Sequence, residues 1–270
     1  MKELSYLIFQ AVLGTTFLSC VLYLVFFVSQ NGKVRRVARM ILILSGVLQT
    51  LYITTRLLLA GYTPITSAHE AVVFFAWATT VAYVSFRWRY TVKNFGTFVS
   101  WLIMLLLVAA ALASREILPL KPVLQSWWLP VHASVSLFAY AFFSLAFCGA
   151  LMYLLQEREL KRKTFGYWYA RLPSLDALDQ LNSHCVAAGF VFMTVGIVTG
   201  SLWTKQAWGT YWQWHPKEIW SMVTWILYLV MIHQRFTAGW RGKRAAVMAI
   251  AGFATLLFTL LGVMYPLGGV

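Results

Sequence analysis

The run from Leu7 to Val28, LIFQAVLGTTFLSCVLYLVFFV, carries no charged residue over 22 positions. At about 1.5 Å per residue, a helix of that length crosses the roughly 30 Å hydrocarbon core of a bilayer. In lipid, backbone polar groups must be paired within the segment. An unbroken apolar run pairs them as a helix, whereas membrane barrels alternate apolar and polar positions. Working outward, comparable runs recur, and eight spans are predicted at about 5–29, 39–60, 68–86, 96–113, 129–155, 182–203, 219–234 and 245–265. The whole chain agrees, with 60% hydrophobic and only 11% charged residues, against about 25% charged in soluble domains. The predicted class is an all-α integral membrane protein, with residues 1–270 forming one polytopic domain.

Basic residues set the orientation. Sixteen of the 22 Lys and Arg fall in the segments after spans 1, 3, 5 and 7, as in Lys33, Arg35, Arg36 and Arg39. By the positive-inside rule these segments are cytoplasmic, so both termini are expected outside. The formal charge of +14 is then read as anchoring beside anionic membrane lipid, and no nucleic-acid partner is expected. No cleavable signal is expected, because Lys2 is the one basic residue before the first run. Cys20, Cys148 and Cys185 each sit in an apolar run and form no C-x-x-C pair. A disulfide framework, a structural zinc site and covalent haem attachment to this chain therefore lack their signatures.

The cytoplasmic loop 156–181 is expected to hold a turn and a short surface helix near Pro173, Ser174, Asp176 and Asp179. Outside, the longest loops are 114–128 and 204–218, so outward chemistry should be built there.

The five histidines sort by depth. His69, His132 and His215 lie at outer span ends or in the outer loop; His184 and His233 lie at inner span ends. Imidazole is costly in hydrocarbon unless paired or ligating, although near a span end it reaches water cheaply. Two stacked ligand sites would give this distribution. Haem fits better than bare zinc, since no H-x-x-x-H or H-E-x-x-H occurs. Haem iron takes one or two axial histidines from different helices, and its ring needs a broad apolar wall.

Residues 208–220, WGTYWQWHPKEIW, supply such a wall, and six of the 13 tryptophans fall between Trp203 and Trp225. If the segment is helical, Trp208 and Trp212 share a face; if extended, Trp212 and Trp214 do. Gly209 lets the backbone approach a ligand closely. Lys217 could pair with a haem propionate, and Glu218 could orient Lys217 or a histidine. Trp220 closes the stretch. The alternative is an interfacial aromatic belt, which would spread its tryptophans over many helix ends. Arg56 within span 2, and Glu70 beside His69, are buried-charge candidates for either a propionate contact or a structural pair. The small residues Ala187, Ala188, Gly189, Gly196 and Gly200 read as close helix packing.

With these residues in hand, the chain resembles the CcsA/ResC group of cytochrome c biogenesis proteins, within the haem-handling WWD superfamily that includes CcmC and CcmF. The resemblance covers most of residues 64–262. It rests chiefly on the signature W-G-x-x-W-x-W-D-P-K-E, matched by Trp208-Gly209, Trp212, Trp214, Pro216, Lys217 and Glu218 within about 203–220. Leu124-Gln125-Ser126 to His132, Thr224-Trp225, Ile232-His233-Gln234-Arg235 and Gly239-Trp240-Arg241-Gly242 also match. The resemblance implies one or two non-covalent haem b groups, carried outward and presented to a reduced apocytochrome c with a C-x-x-C-H motif. It also implies a ResB/Ccs1-type partner completing a system II synthase (haem lyase) in the plasma membrane, with the Trp-rich segment on the extracytoplasmic face. It makes His132 an outer and His233 an inner axial ligand.

Three departures stand out. The signature Asp is His215, the position before Glu70 is His69 in place of the usual Tyr, and no histidine follows the last span, where Leu261–Pro266 reads LGVMYP. The second outer ligand is expected to be His69, with His215, Met264 or Tyr265 as alternatives. The inner site pairs His233 with His184 or with a partner's histidine. Two other readings stand beside the synthase component: a non-catalytic haem-binding regulator or exporter, and a b-type electron-transfer subunit.

Overall fold

The computed structural model describes residues 2–90, 92–117, 119–120, 122–163 and 166–262. Its helices build two compact units, Met1–Gln125 and Ser126–Val270. Among the described residues there is no strand, and seven helices are long and apolar enough to cross a membrane.

The first unit holds α1 (Lys2–Ser29), α2 (Gly32–Ala60), α3 (Ala68–Arg89) and α4 (Phe95–Leu112). Polar side chains start α2 and α3: Asn31 accepts from the Lys33 N–H, and Ser67 from the Glu70 N–H. Each satisfies a backbone donor that the first helical turn leaves unpaired. Gly61 ends α2 at φ +74°, a left-handed conformation that glycine adopts without a Cβ clash. α1 packs along α2 and against α4, and α3 packs on α4. Short polar groups tie these apolar helices together. Thr16 Oγ1 meets Ser45 Oγ at 2.6 Å, and the Ser19 hydroxyl donates to the Ala38 carbonyl at 3.0 Å.

The second unit holds α5 (Trp128–Lys161), the short α6 (Tyr167–Arg171), α7 (Leu175–Trp208), α8 (Pro216–Thr237) and α9 (Lys243–Leu257), which runs into a π turn at Phe258–Gly262. α5 and α7 form an antiparallel pair whose register is set by small residues. Cβ atoms added at Gly149, Gly189, Gly196 and Gly200 would strike Leu181, Phe143, Ser136 and His132 respectively. The glycines thus let the backbones approach, as small residues do in membrane helix pairs. Asp179 closes the far end of the unit. It accepts from Arg235 Nη1 at 3.2 Å, from Arg235 Nη2 at 2.7 Å and from the Gly242 N–H at 2.7 Å. That planar fork fixes the end of α8 and the turn into α9 against α7.

Two sequence expectations shift. The stretch around Pro173–Asp179 is not a separate surface helix: Ser174 caps α7, accepting from the Ala177 N–H, and the helix runs unbroken from Leu175. The surface helix of that loop is α6 instead. The seventh predicted span is a 22-residue helix, α8, but it is not among the seven sufficiently apolar ones. Lys217 and Glu218 at its start, and His233, Gln234 and Arg235 near its end, dilute its apolar centre.

Candidate functional site

The Trp-rich stretch is neither helical nor extended throughout. α7 stops at Trp208 because Gly209 turns left-handed, at φ +80°, while its N–H still bonds the Lys205 carbonyl. Lys205 Nζ reaches back to the Gly209 carbonyl at 2.7 Å and lies 5.2 Å from the Tyr211 ring centre. Trp214 also lies in the left-handed region, at φ +59°, which costs a bulky side chain on the order of 1–3 kcal/mol. His215 then takes the N-cap position of α8 with Pro216 behind it, where a missing N–H is harmless. Glu218 folds back from the first turn of α8 to accept the Gln213 N–H at 2.8 Å. The stretch is thus a pinned turn between two helices.

Its rings interlock. Trp203 and Trp208 meet edge to face at 5.1 Å, Trp212 and Trp214 at 6.0 Å, and Trp208 faces His215 at 6.4 Å. Trp220 packs edge-on against Phe258 at 4.7 Å. Trp208 is 44% and Trp214 70% exposed, so flat indole surface is presented outward from the unit. The indole N–H groups of Trp203 and Trp212 are buried without an acceptor.

His132, in the second turn of α5, joins this cluster. Its ring lies parallel to Trp203, at 6.3 Å and 13°. Nδ1 donates to the Gly196 carbonyl at 2.7 Å, which holds the proton on Nδ1 and leaves Nε2 as a neutral acceptor. Gly200 makes the space: a Cβ there would lie 2.7 Å from Cε1 and from Nδ1. An imidazole with one nitrogen tied to a backbone carbonyl and the other free is the arrangement that orients a metal-ligating histidine.

At the other end of the same unit, Trp225 Nε1–H bonds Thr194 Oγ1 and Arg235 pairs with Asp179. His233 and His184 both fall between these two tie points of antiparallel α8 and α7. Both are exposed, and His184 Nδ1 bonds the Gln180 carbonyl at 2.7 Å. His215 is exposed, with Nε2 on Gln213 Oε1 at 2.9 Å. Lys217 is exposed at the start of α8; the carboxylate of Glu218 serves the Gln213 backbone rather than Lys217 or a histidine.

His69 differs from the others. It is fully buried in the first unit, with Nε2 on Tyr52 Oη at 2.7 Å and Nδ1 on the Ala110 carbonyl at 2.7 Å. The sequence makes it the second outer ligand, yet neither ring nitrogen is free. The burial of α3 between its neighbours supplied partners that spacing could not reveal. Arg56 and Glu70 are likewise a structural pair at 2.6 Å, with side chains 5% and 2% exposed. Met264 and Tyr265 lie outside the described residues.

Sequence reading missed the residues that hold His132. Gly196 and Gly200 looked like packing only, and their i, i+4 spacing points at His132 once the antiparallel register is known. It matched Ser126 but not its contact: the Ser126 hydroxyl donates to Gln206 Oε1 at 2.6 Å and ties the start of α5 to the end of α7. Together these groups make an apolar aromatic surface, two unpaired indole donors and one free imidazole nitrogen. That set suits a flat, largely apolar ligand with a metal at its centre.

The fold and this cluster define a polytopic helical membrane protein with a tryptophan-rich turn beside a backbone-anchored histidine. The family model described as "Cytochrome C assembly protein" matches residues 65–269, and the chain belongs to that family. Cytochrome c biogenesis protein CcsA of Chlamydomonas reinhardtii is 30% identical over 240 residues, covering 86% of this chain and 67% of that protein. CcsA of Synechococcus sp. is 29% identical over 268 residues, with 79% and 78% covered. Among solved structures, "Cytochrome c Heme Lyase CcmF" shares the fold, with TM-score 0.65 at 19% identity; the match covers 96% of this chain and 46% of that one. The protein therefore acts in cytochrome c maturation, as a multi-pass membrane protein.

Proposed function

We propose that the protein holds haem b non-covalently as a substrate and presents it to apocytochrome c, as the membrane haem-handling subunit of a system II synthase. The observation that carries this reading is His132, with Nδ1 anchored on Gly196 and Nε2 free beside the Trp203 ring. His132 would supply one axial ligand. Trp208, Trp212 and Trp214 would support the flat face of the ring, and the exposed Lys217 would meet a propionate. His215, exposed and next to Trp208, replaces His69 as the second ligand from this chain. The name of the structural relative CcmF, a haem lyase, fits this reading.

Haem brings vinyl groups that take up two cysteine thiols as thioethers. The protein's own contribution in this reading is positioning. The bias of Lys and Arg toward the opposite loops supports an extracytoplasmic face for the cluster, at the plasma membrane in this reading, where a reduced C-x-x-C-H chain would reach it. His233 would serve an inner site, with His184 at the same level of the unit or with a histidine of a ResB/Ccs1-type partner. Exposure of His233 supports a ligand that approaches from outside the unit.

The test is complementation. Cells lacking their own synthase, given this chain together with a ResB-type partner, are expected to accumulate covalently haem-stained cytochrome c. His132→Ala in the same cells is expected to abolish it. Full staining with the alanine variant would refute the assignment.

A further inference from the structure

In the first unit, the start of α1, the end of α2 and the segment after α4 border an open cavity of about 560 Å³. That size lies within the roughly 300–1,000 Å³ of small-molecule sites. Lys2, Arg56 and Arg115 line it together with Tyr6, Phe9 and Tyr52. Arg56 is 4% exposed; Nη2 bonds Glu70 and Nη1 donates to the Arg115 carbonyl at 2.8 Å, but Nε is buried without a partner. The Arg115 guanidinium lies 4.6 Å from the Phe9 ring centre and 5.5 Å from that of Tyr6. Among the described residues it forms no ion pair with a carboxylate. Two acids stand against the three cations: Glu70, spent on Arg56, and Glu116 on the cavity wall. The local balance is one positive charge.

The apolar surface beside the cavity is exposed. On α1, Leu4 is 50% and Leu7 60% exposed; on α2, Leu57 is 41% and Leu58 69% exposed. In a membrane protein such flanks face acyl chains. A soluble anion would answer the charge and leave the flanks unused. We propose that this cavity binds one anionic phospholipid, with the singly charged phosphodiester on Arg115, Arg56 and Lys2 and the glycerol end against Tyr6 and Phe9. Arginine suits phosphate because its planar fork donates two parallel hydrogen bonds, and an interface position keeps the charged head beside water.

The test uses the full chain purified in mild detergent and supplied with phosphatidylglycerol, phosphatidylcholine or inorganic phosphate alone. Retained ligand is counted by native mass spectrometry. The wild type is expected to keep one phosphatidylglycerol with about tenfold preference over phosphatidylcholine. R115Q, and separately K2Q, are expected to reduce that retention about tenfold at unchanged melting temperature, in line with the strength of charge-assisted hydrogen bonds. His132→Ala is expected to keep the lipid, which separates this site from the haem reading. Equal retention of the two lipids would overturn the proposal. So would unchanged retention in both R115Q and K2Q, displacement of the lipid by millimolar phosphate, or displacement by ferric haem.

Discussion

The Nδ1 atom of His132 lies 2.7 Å from the carbonyl oxygen of Gly196, one turn of α7 before Gly200, which leaves room for the imidazole. A carbonyl that accepts the Nδ1 proton fixes both the tautomer and the direction of Nε2. The direction of Nε2 is thus set by helix packing in the second unit rather than by a loop.

Gly200→Ala tests that packing. Its Cβ would press on the ring at 2.7 Å, and the ring must rotate or α5 must shift. Overfilling a packed site costs about 1–3 kcal/mol. The expected outcome is a melting temperature lowered by several degrees and a broadened or diminished haem Soret band, read by thermal unfolding and absorption of the purified protein.

His69→Ala is expected to lower stability without touching the haem spectrum. It removes the partners of Tyr52 Oη and the Ala110 carbonyl and opens a buried space. Two lost hydrogen bonds plus a cavity amount to roughly 2–4 kcal/mol. Stability should fall while the haem spectrum per folded molecule stays unchanged. A selective loss of haem at full stability would restore His69 as a ligand.

Glu218 holds the Trp-rich turn by accepting the Gln213 N–H. Gln at this position still offers a carbonyl acceptor, whereas Ala offers none. Glu218→Ala should lower haem binding severalfold, consistent with a loss of about 1–2 kcal/mol. Glu218→Gln should retain most of it. Haem titration of the two variants separates loss of the acceptor from loss of the charge.

The left-handed backbone of Trp214 makes a similar case. Trp214→Gly relieves the backbone cost and deletes an indole that is 70% exposed. The variant should melt at or above the wild-type temperature and bind haem more weakly. Such an outcome would tie the strained backbone to the proposed haem contact of Trp214.

The helices were legible because hydrocarbon leaves an apolar chain few options. Runs such as Leu7–Val28 needed only length and charge to assign. The candidate site was legible in part. Trp208–Trp220 and His132 declared themselves by residue type, but the turn at Gly209 and the kink at Trp214 depend on how α7 and α8 meet. For His69, depth alone could not show that both ring nitrogens bond within the first unit. Tyr52 and Ala110 lie 17 and 41 residues away from it in sequence, so their contacts exist only once the first unit has folded. Ion pairs such as Arg235 with Asp179 were hidden for the same reason.

The most direct test of the haem account is the absorption spectrum, oxidised and reduced, of the purified wild type beside His132→Ala and His233→Ala. The account predicts b-type haem in the wild type, loss of one spectral component in His132→Ala, and loss of a different one in His233→Ala. A wild type that binds no haem even after reconstitution, or a His132→Ala protein with an unaltered spectrum, would contradict it.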